Sequence, residues 1–274
     1  MKAIKPILLG VSLFSILPLG AQVFDKPRSL AEADSLDRVQ YRVLYQLDFI
    51  SDPTDREYVT QDQVRLDIGT QISKVYSLKH YQADSAATPL IETGQFPRKI
   101  VTDVVPPMIL YRGYPKTQDI TTDYRLPAGA PVMSYVEPKP TLQWQVKPEK
   151  REILGHSCQR AEVSFGGRQW IAWFTSEIPL SEGPYKFGGL PGLILEVADS
   201  EGDYRYTCIG IANLSAGENI VRWKWNQRPT TRKELEKIIV QLYANPEQAI
   251  KALGGRMGFK GDPMLNLPYN PIEK

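Results

Sequence analysis

The chain has 274 residues, 33 Lys and Arg against 31 Asp and Glu, and 42% hydrophobic side chains, enough apolar surface for a sizeable core. A charge this close to zero, with no basic stretch to track phosphates, argues against nucleic acid as a partner. Two histidines and two cysteines supply no set of three or four metal ligands close in sequence, so no metal and no cofactor is expected.

In chain order, Met1 to Ala21 reads as a signal peptide. Lys2 and Lys5 precede an apolar run from Ile7 to Leu17, and Pro18-Leu19-Gly20-Ala21 offers small residues for cleavage after Ala21. The run is too short to span a bilayer, which needs ~20 residues. The segment holds two of the 33 basic residues and none of the 31 acidic ones, so the remainder is formally neutral. No Cys follows the cut to carry a lipid anchor, and no later apolar run suffices for a transmembrane segment. Residues 22–40 form a polar lead-in, read as a short helix or a mobile stretch.

From residue 41 to 225 the pattern alternates with period two, which places successive side chains on opposite faces of a strand. Val43, Tyr45, Leu47 and Phe49 alternate with polar neighbours, as do Val64, Leu66 and Ile68, then Leu142, Trp144 and Val146, then Val221, Trp223 and Trp225. Further strands are expected over 72–79, 98–105, 107–112, 132–137, 157–165, 168–175, 192–198 and 203–211, divided by Gly, Pro, Asp and Ser. Helical spacing is missing from this stretch, so the expected fold is mainly β: a curved antiparallel sheet or open barrel. Trp170 and Trp173 make one strand apolar on both faces, which predicts a central strand covered on both sides, or one lining a hydrophobic ligand cavity inside a curved sheet.

Residues 226–255 change period. Leu235, Ile238, Ile239 and Leu242 form a helical stripe, Thr231 and Glu234 a capping box, and Asn245-Pro246 a break before a second short helix closing at Gly254-Gly255. The stripe is expected to pack on the sheet. Residues 256–274, rich in Gly, Pro and Asn, read as an irregular tail. In an oxidising compartment Cys158 and Cys208 could form a disulfide between two strands or remain separate thiols.

The segment from Gly155 to Val197 resembles the GLPGLI family, through Gly189-Leu190-Pro191-Gly192-Leu193-Ile194 and the flanking Gly155-His156-Ser157-Cys158, Gly167-Arg168, Trp170, Trp173, Glu177-Ile178-Pro179 and Gly183-Pro184-Tyr185-Lys186-Phe187. Leu66-Asp67-Ile68-Gly69, Ser73 to Ser77 and Asn270-Pro271-Ile272-Glu273 extend the resemblance. It implies export in a Gram-negative bacterium and a place in the periplasm or at the outer membrane, sometimes beside outer-membrane transporters. It implies no activity.

Four glycines and two prolines between Gly183 and Gly192 make a stiff, shaped loop. It is read as a structural corner, or as a ligand- or partner-binding loop displaying Glu182, Tyr185, Lys186 and Phe187. It lacks the Lys and Ser/Thr of a phosphate loop. For catalysis, His156 two residues before Cys158 reads as structural, and Glu177, Glu182, Glu196 and Asp199 as surface carboxylates, so no catalytic residue is assigned. The leading expectation is a non-enzymatic envelope protein that binds an apolar small molecule, a lipid or an envelope protein. The alternatives are an exported hydrolase using paired carboxylates and an accessory subunit of an outer-membrane transporter.

Overall fold

A computed structural model describes residues 26–95, 107–127, 129–214, 217–254 and 269–274. The expected signal peptide and strand 98–105 lie outside them, and so does most of the expected tail.

The elements in order are β1 (Ala33–Arg38), β2 (Tyr41–Phe49), β3 (Thr60–Ile68), β4 (Ser73–Ser77), α1 (Leu78–Glu92), β5 (Met108–Arg112), β6 (Asp119–Arg125) and β7 (Val132–Pro138). There follow β8 (Gln145–Ile153), β9 (His156–Phe165), β10 (Arg168–Thr175), β11 (Leu193–Asp199), β12 (Tyr204–Asn213), β13 (Asn219–Trp223), β14 (Gln227–Pro229), α2 (Arg232–Ala244) and α3 (Pro246–Ala252). Twelve strands form one sheet in the order β14-β7-β6-β5-β4-β3-β2-β12-β11-β10-β9-β8, while β1 and β13 pair separately. Every pairing is antiparallel except β14 with β7. The protein is mainly β, and the sheet ends at β14 and β8 without closing into a barrel.

Alternation does the expected work in β2, where Val43, Tyr45, Leu47 and Phe49 are buried and the residues between them are half-buried. The inner face continues through Leu66, Trp170, Leu195 and Tyr206 in one cluster. Seven strand spacings separate β5 from β9, ~33 Å if the sheet were flat. Yet Phe187, on the connection between β10 and β11, touches both. Its carbonyl accepts from Arg112 Nη1 of β5 at 2.7 Å, and its ring lies 6.0 Å from that of Phe165 in β9. The sheet therefore curls around this connection, and Phe187, Leu190 and Tyr185 occupy the space where a ligand cavity was the alternative expectation. α2 and α3 pack Leu235, Ile239, Leu242 and Ile250 on Tyr124 and Met133 at the β6–β7 end, and the capping box forms with both of its bonds.

Several expectations need correction. The stretch 72–79 is strand only to Ser77, and then becomes α1. That helix escapes the periodicity argument because two of its three buried positions, His80 and Asp84, are polar and the third, Ala87, is small. β1 replaces the helix or mobile stretch expected of the lead-in, because β13 supplies its backbone partners. Leu142 and Trp144 precede β8 and pack against the core from outside any strand. β10 is third from the β8 edge, so Ile171 and Trp173 on its outer face are only half-buried.

The entry into β11 permits no side chain at Gly192, where a Cβ would lie 2.0 Å from the Thr175 carbonyl oxygen. Gly155, at φ +79°, has open space around it. Chemical denaturation should show Gly192→Ala losing about 4 kcal/mol, against about 1 kcal/mol of backbone strain for Gly155→Ala; equal losses would contradict the close approach.

Candidate functional site

The connection between β10 and β11 folds inward. Gly188 bridges to Glu182, the Ile194 amide donates to the Glu182 carbonyl at 2.9 Å, and Trp144 Nε1 donates to the Gly188 carbonyl at 2.8 Å. Tyr185, Lys186 and Phe187, expected on display, are instead buried at 5%, 5% and 0% exposure. Phe187 is the hub of an aromatic cluster, 4.7 Å from Trp170 and 6.0 Å from Tyr185 between ring centroids. Glu182 is paired with Arg112, whose Nε also donates to Ser73 Oγ at 3.0 Å.

Burying an ammonium group unpaired would cost several kcal/mol. Lys186 Nζ meets that cost with Glu137 at 2.5 Å and Glu273 at 2.6 Å. Burial alone would lower its pKa, but the neighbouring Tyr135, Glu273 and Glu137 raise it above the ordinary lysine value, so the amine is charged. Burial would likewise raise the Glu273 carboxyl, but Lys186, the Tyr185 hydroxyl and Arg232 hold it below the usual carboxylate range. Tyr185 donates to Glu273, and Arg232 Nη2 lies 2.7 Å from it.

A second buried cation anchors the other end of the same region. Arg168 Nη1 lies 2.6 Å from Asp199 and 2.8 Å from Asp203, and Nη2 donates to the Asn270 side chain and the Pro271 carbonyl, both at 2.7 Å. Asp199, Glu201 and Asp203 gather their oxygens within 4.8 Å, spacing that would suit a metal ion. The Arg168 guanidinium contacts all three carboxylates, so this cluster carries its own cation.

On the outer face over β3 to β6, the two-stranded sheet and α1 cover a more polar region. Lys74 is 2% exposed, donates to the Val221 carbonyl at 2.8 Å and sits 3.3 Å from the Trp223 ring centroid, with Tyr76 at 4.7 Å. Burial pushes its amine well below the usual lysine value against the pull of Asp67 and Asp123. Alongside, a narrow cleft is lined by Tyr76, His80, Tyr81, Asp84, Arg125 and Trp223 among others. Asp84 pairs with Arg125 at 2.5 and 3.0 Å, and burial followed by the charges of Arg125 and Arg28 keeps His80 neutral. The polarity of these residues hides the region from a reading based on apolar periodicity, which marks 72–79 as a strand and part of a family pattern without showing that Lys74 is buried.

The four carboxylates considered for acid and base work are not brought together. Glu177 binds His156 Nδ1 at 2.7 Å on the surface, Glu182 binds Arg112, Glu196 binds Arg151 and Arg205 at 2.7 and 2.8 Å, and Asp199 binds Arg168. Cys158 and Cys208 are buried free thiols on β9 and β12, with β10 and β11 between those strands, and burial raises each to about 11. Thiols at that value are poor nucleophiles at neutral pH. No described helix is long and apolar enough to cross a membrane.

Residues 167–196 match a family model described as "Protein of unknown function (Porph_ging)". This supports kinship with a family lacking an established activity, though not under the GLPGLI name, and over a short stretch only. No curated protein matches. Two crystal structures of PNGF-II, in space groups P21 and C2, resemble the chain with TM-score 0.48 and 13% identity, covering 73% of this chain and 32% of theirs. The chain thus spans about a third of that protein, and a likeness at this level informs neither mechanism nor ligand.

The Glu273 pairing fixes a sign for pH dependence. A carboxyl whose folded pKa is depressed stabilises the fold above its unfolded value, here near 4.5, and that stability vanishes as pH falls through the folded value. Glu273→Gln should lower stability by about 2 kcal/mol at pH 7 and flatten the loss of stability below pH ~4.5. Denaturant titrations at pH 7, 5 and 3 check this; an unchanged acid limb would show the pairing to be energetically idle.

Proposed function

We propose that this chain is an exported protein of the bacterial envelope, acting without catalysis by binding another envelope protein, an outer-membrane transporter or its neighbour being one such partner. Export rests on the Met1–Ala21 pattern. The binding reading rests on how the charged side chains are used: in the motif region they hold the fold together, whereas the outer face of β9 to β12 carries half-buried Ile171 and Trp173 in a frame of Arg160, Glu162, Glu196 and Arg205. The single observation carrying it is Trp173, which rests partly on the main core and has the Arg151 guanidinium 4.2 Å from its ring centroid on the outer side of β10. Trp and Arg are enriched among the residues that dominate binding energy in protein interfaces, with polar groups at the rim.

An apolar ligand is the weaker version of this reading, because Phe187, Leu190 and Tyr185 fill the inside of the curl. The hydrolase alternative has less support, since the carboxylates it would use are each bound to a different side chain, Glu177 to His156 and the others to arginines.

A photo-crosslinking amino acid placed at residue 173 of the full chain in cells should yield one discrete envelope-protein adduct. The same probe at exposed Tyr58, outside the patch, should not. Trp173→Ala should weaken copurification of that partner at least tenfold, about the 1.4 kcal/mol of a modest hot spot. Absence of the adduct at 173, or retention of the chain in the cytosol, would reject the reading.

A further inference from the structure

The residues that receive Asn270 to Lys274 share one property: they treat this segment as a ligand. Arg168, with 1% of its side chain exposed, turns Nη2 to the Asn270 side chain and the Pro271 carbonyl, at 2.7 Å each. Tyr204 donates its hydroxyl to the Asn270 carbonyl, and Asn270 Nδ2 donates to the Ile50 carbonyl at 2.8 Å. Ile272 packs on the main core. Glu273 enters a basic cradle of Lys186 and Arg232 closed by the Tyr185 hydroxyl. The Lys274 amide donates to the Gly166 carbonyl at 2.7 Å, and Lys274 Nζ reaches Glu201 at 2.5 Å.

The receptor backbone is shaped to fit. A Cβ on Gly166 would lie 2.7 Å from Glu273 Cγ, and one on Gly167 2.8 Å from Lys274 Cβ, so the turn between β9 and β10 admits the segment only because it has no side chains. Polar groups, an apolar contact and backbone bonds thus read five consecutive residues, and the carboxylate is read by two buried or half-buried cations. That is how a peptide site achieves specificity: removing the carboxylate takes from Lys186 one of its two counter-ions, leaving Glu137 alone to balance a buried ammonium.

We infer that Gly166, Gly167, Arg168, Tyr185, Lys186, Tyr204 and Arg232 form a recognition site for an Asn-Pro-Ile-Glu-Lys segment bent at its Ile, filled here by the chain's own residues 270–274 and open to the same segment from a second copy. The observation behind a second copy as occupant is that the required sequence is the chain's own. Exchange of such a segment between copies needs no new contacts, only a change of which chain supplies them.

The test uses a fluorescent, end-capped peptide with the sequence of residues 269–274 and the full chain carrying Glu273→Gln, whose own segment is a weakened competitor. Fluorescence polarisation should show saturable binding to the variant at least tenfold tighter than to the wild-type chain, whose site is filled. A peptide with Gln in place of its Glu should bind at least tenfold more weakly than the native peptide, and Arg232→Gln added to the variant should weaken the native peptide. The peptide should also raise the variant's melting temperature. A cooperatively folded Glu273→Gln chain that does not bind, or that binds both peptides equally, would overturn the inference. Should that variant fail to fold, Asn270→Ala replaces it with the same readings. Failure of both to fold would also overturn it, since a segment the fold cannot do without is not a separable ligand.

Discussion

Positive charge placed inside a protein must find negative charge there too, and in this molecule that requirement decides the shape of the middle of the chain. Arg112, Lys186 and Arg168 are each about 5% exposed or less. Each solves the desolvation problem with groups distant in sequence: Arg112 with Glu182, Lys186 with Glu137 and Glu273, Arg168 with Asp199, Asp203 and the backbone at Pro271. Breaking a buried pair of this kind costs about 3–5 kcal/mol, so the loop carrying Lys186 cannot swing outward without stranding charge. The Gly and Pro content of residues 183–192 then has a clear role: it lets the backbone turn inward far enough to deliver Phe187 and Lys186 to partners on β5, β7 and the 269–274 segment.

The same requirement explains why the sheet is covered unevenly. Over β4 and β5 both faces are buried, and the outer one holds Lys74 against Trp223, Tyr76 and Tyr111, rings whose faces attract a cation. β1, β13 and α1 exist there as a lid on polar groups that water would otherwise compete for. Over β9 to β12 the outer face carries surface ion pairs such as Arg160 with Glu149 at 3.0 Å, which are worth little and need no cover. The edges are protected chemically. β8 presents Lys147, Pro148, Glu149 and Lys150 with a bulge in its register, and β14 is three residues long and ends in Pro229. Both are standard means of discouraging strand addition.

How much of this could be read in advance follows from the same division. β2, β3 and β9 to β12 were legible because their inner residues are apolar and spaced by two, and α2 because its stripe is apolar and Thr231 with Glu234 marks its start. β6 was missed: Ile120 is its clear apolar member, while Thr121, Asp123 and Arg125 are buried as polar residues. α1 failed for the same reason at His80 and Asp84. Burial of Tyr185 and Lys186 was invisible because the residues that justify it, Glu137 and Glu273, lie far along the chain in either direction. One signal did exist, since Asn270-Pro271-Ile272-Glu273 stood out beside the Gly/Pro loop in the same family pattern, and the structure places the two in contact.

That contact bears on what a match to residues 167–196 means. The matched stretch contains Gly167, Arg168, Tyr185 and Lys186, which contact residues 270–274, Gly192 at the close approach to Thr175, and the aromatic hub Phe187. Their partners Glu137, Asp203, Asn270 and Glu273 fall outside it. A sequence pattern built from such residues reports a way of closing the fold, because each side chain in it is already engaged with the rest of the molecule. Chemistry toward the outside has to come from side chains that the fold leaves unspent. On the matched stretch the least spent are Ile171 and Trp173, half-buried on the outer side of β10, with Trp173 still resting partly on the core and under Arg151.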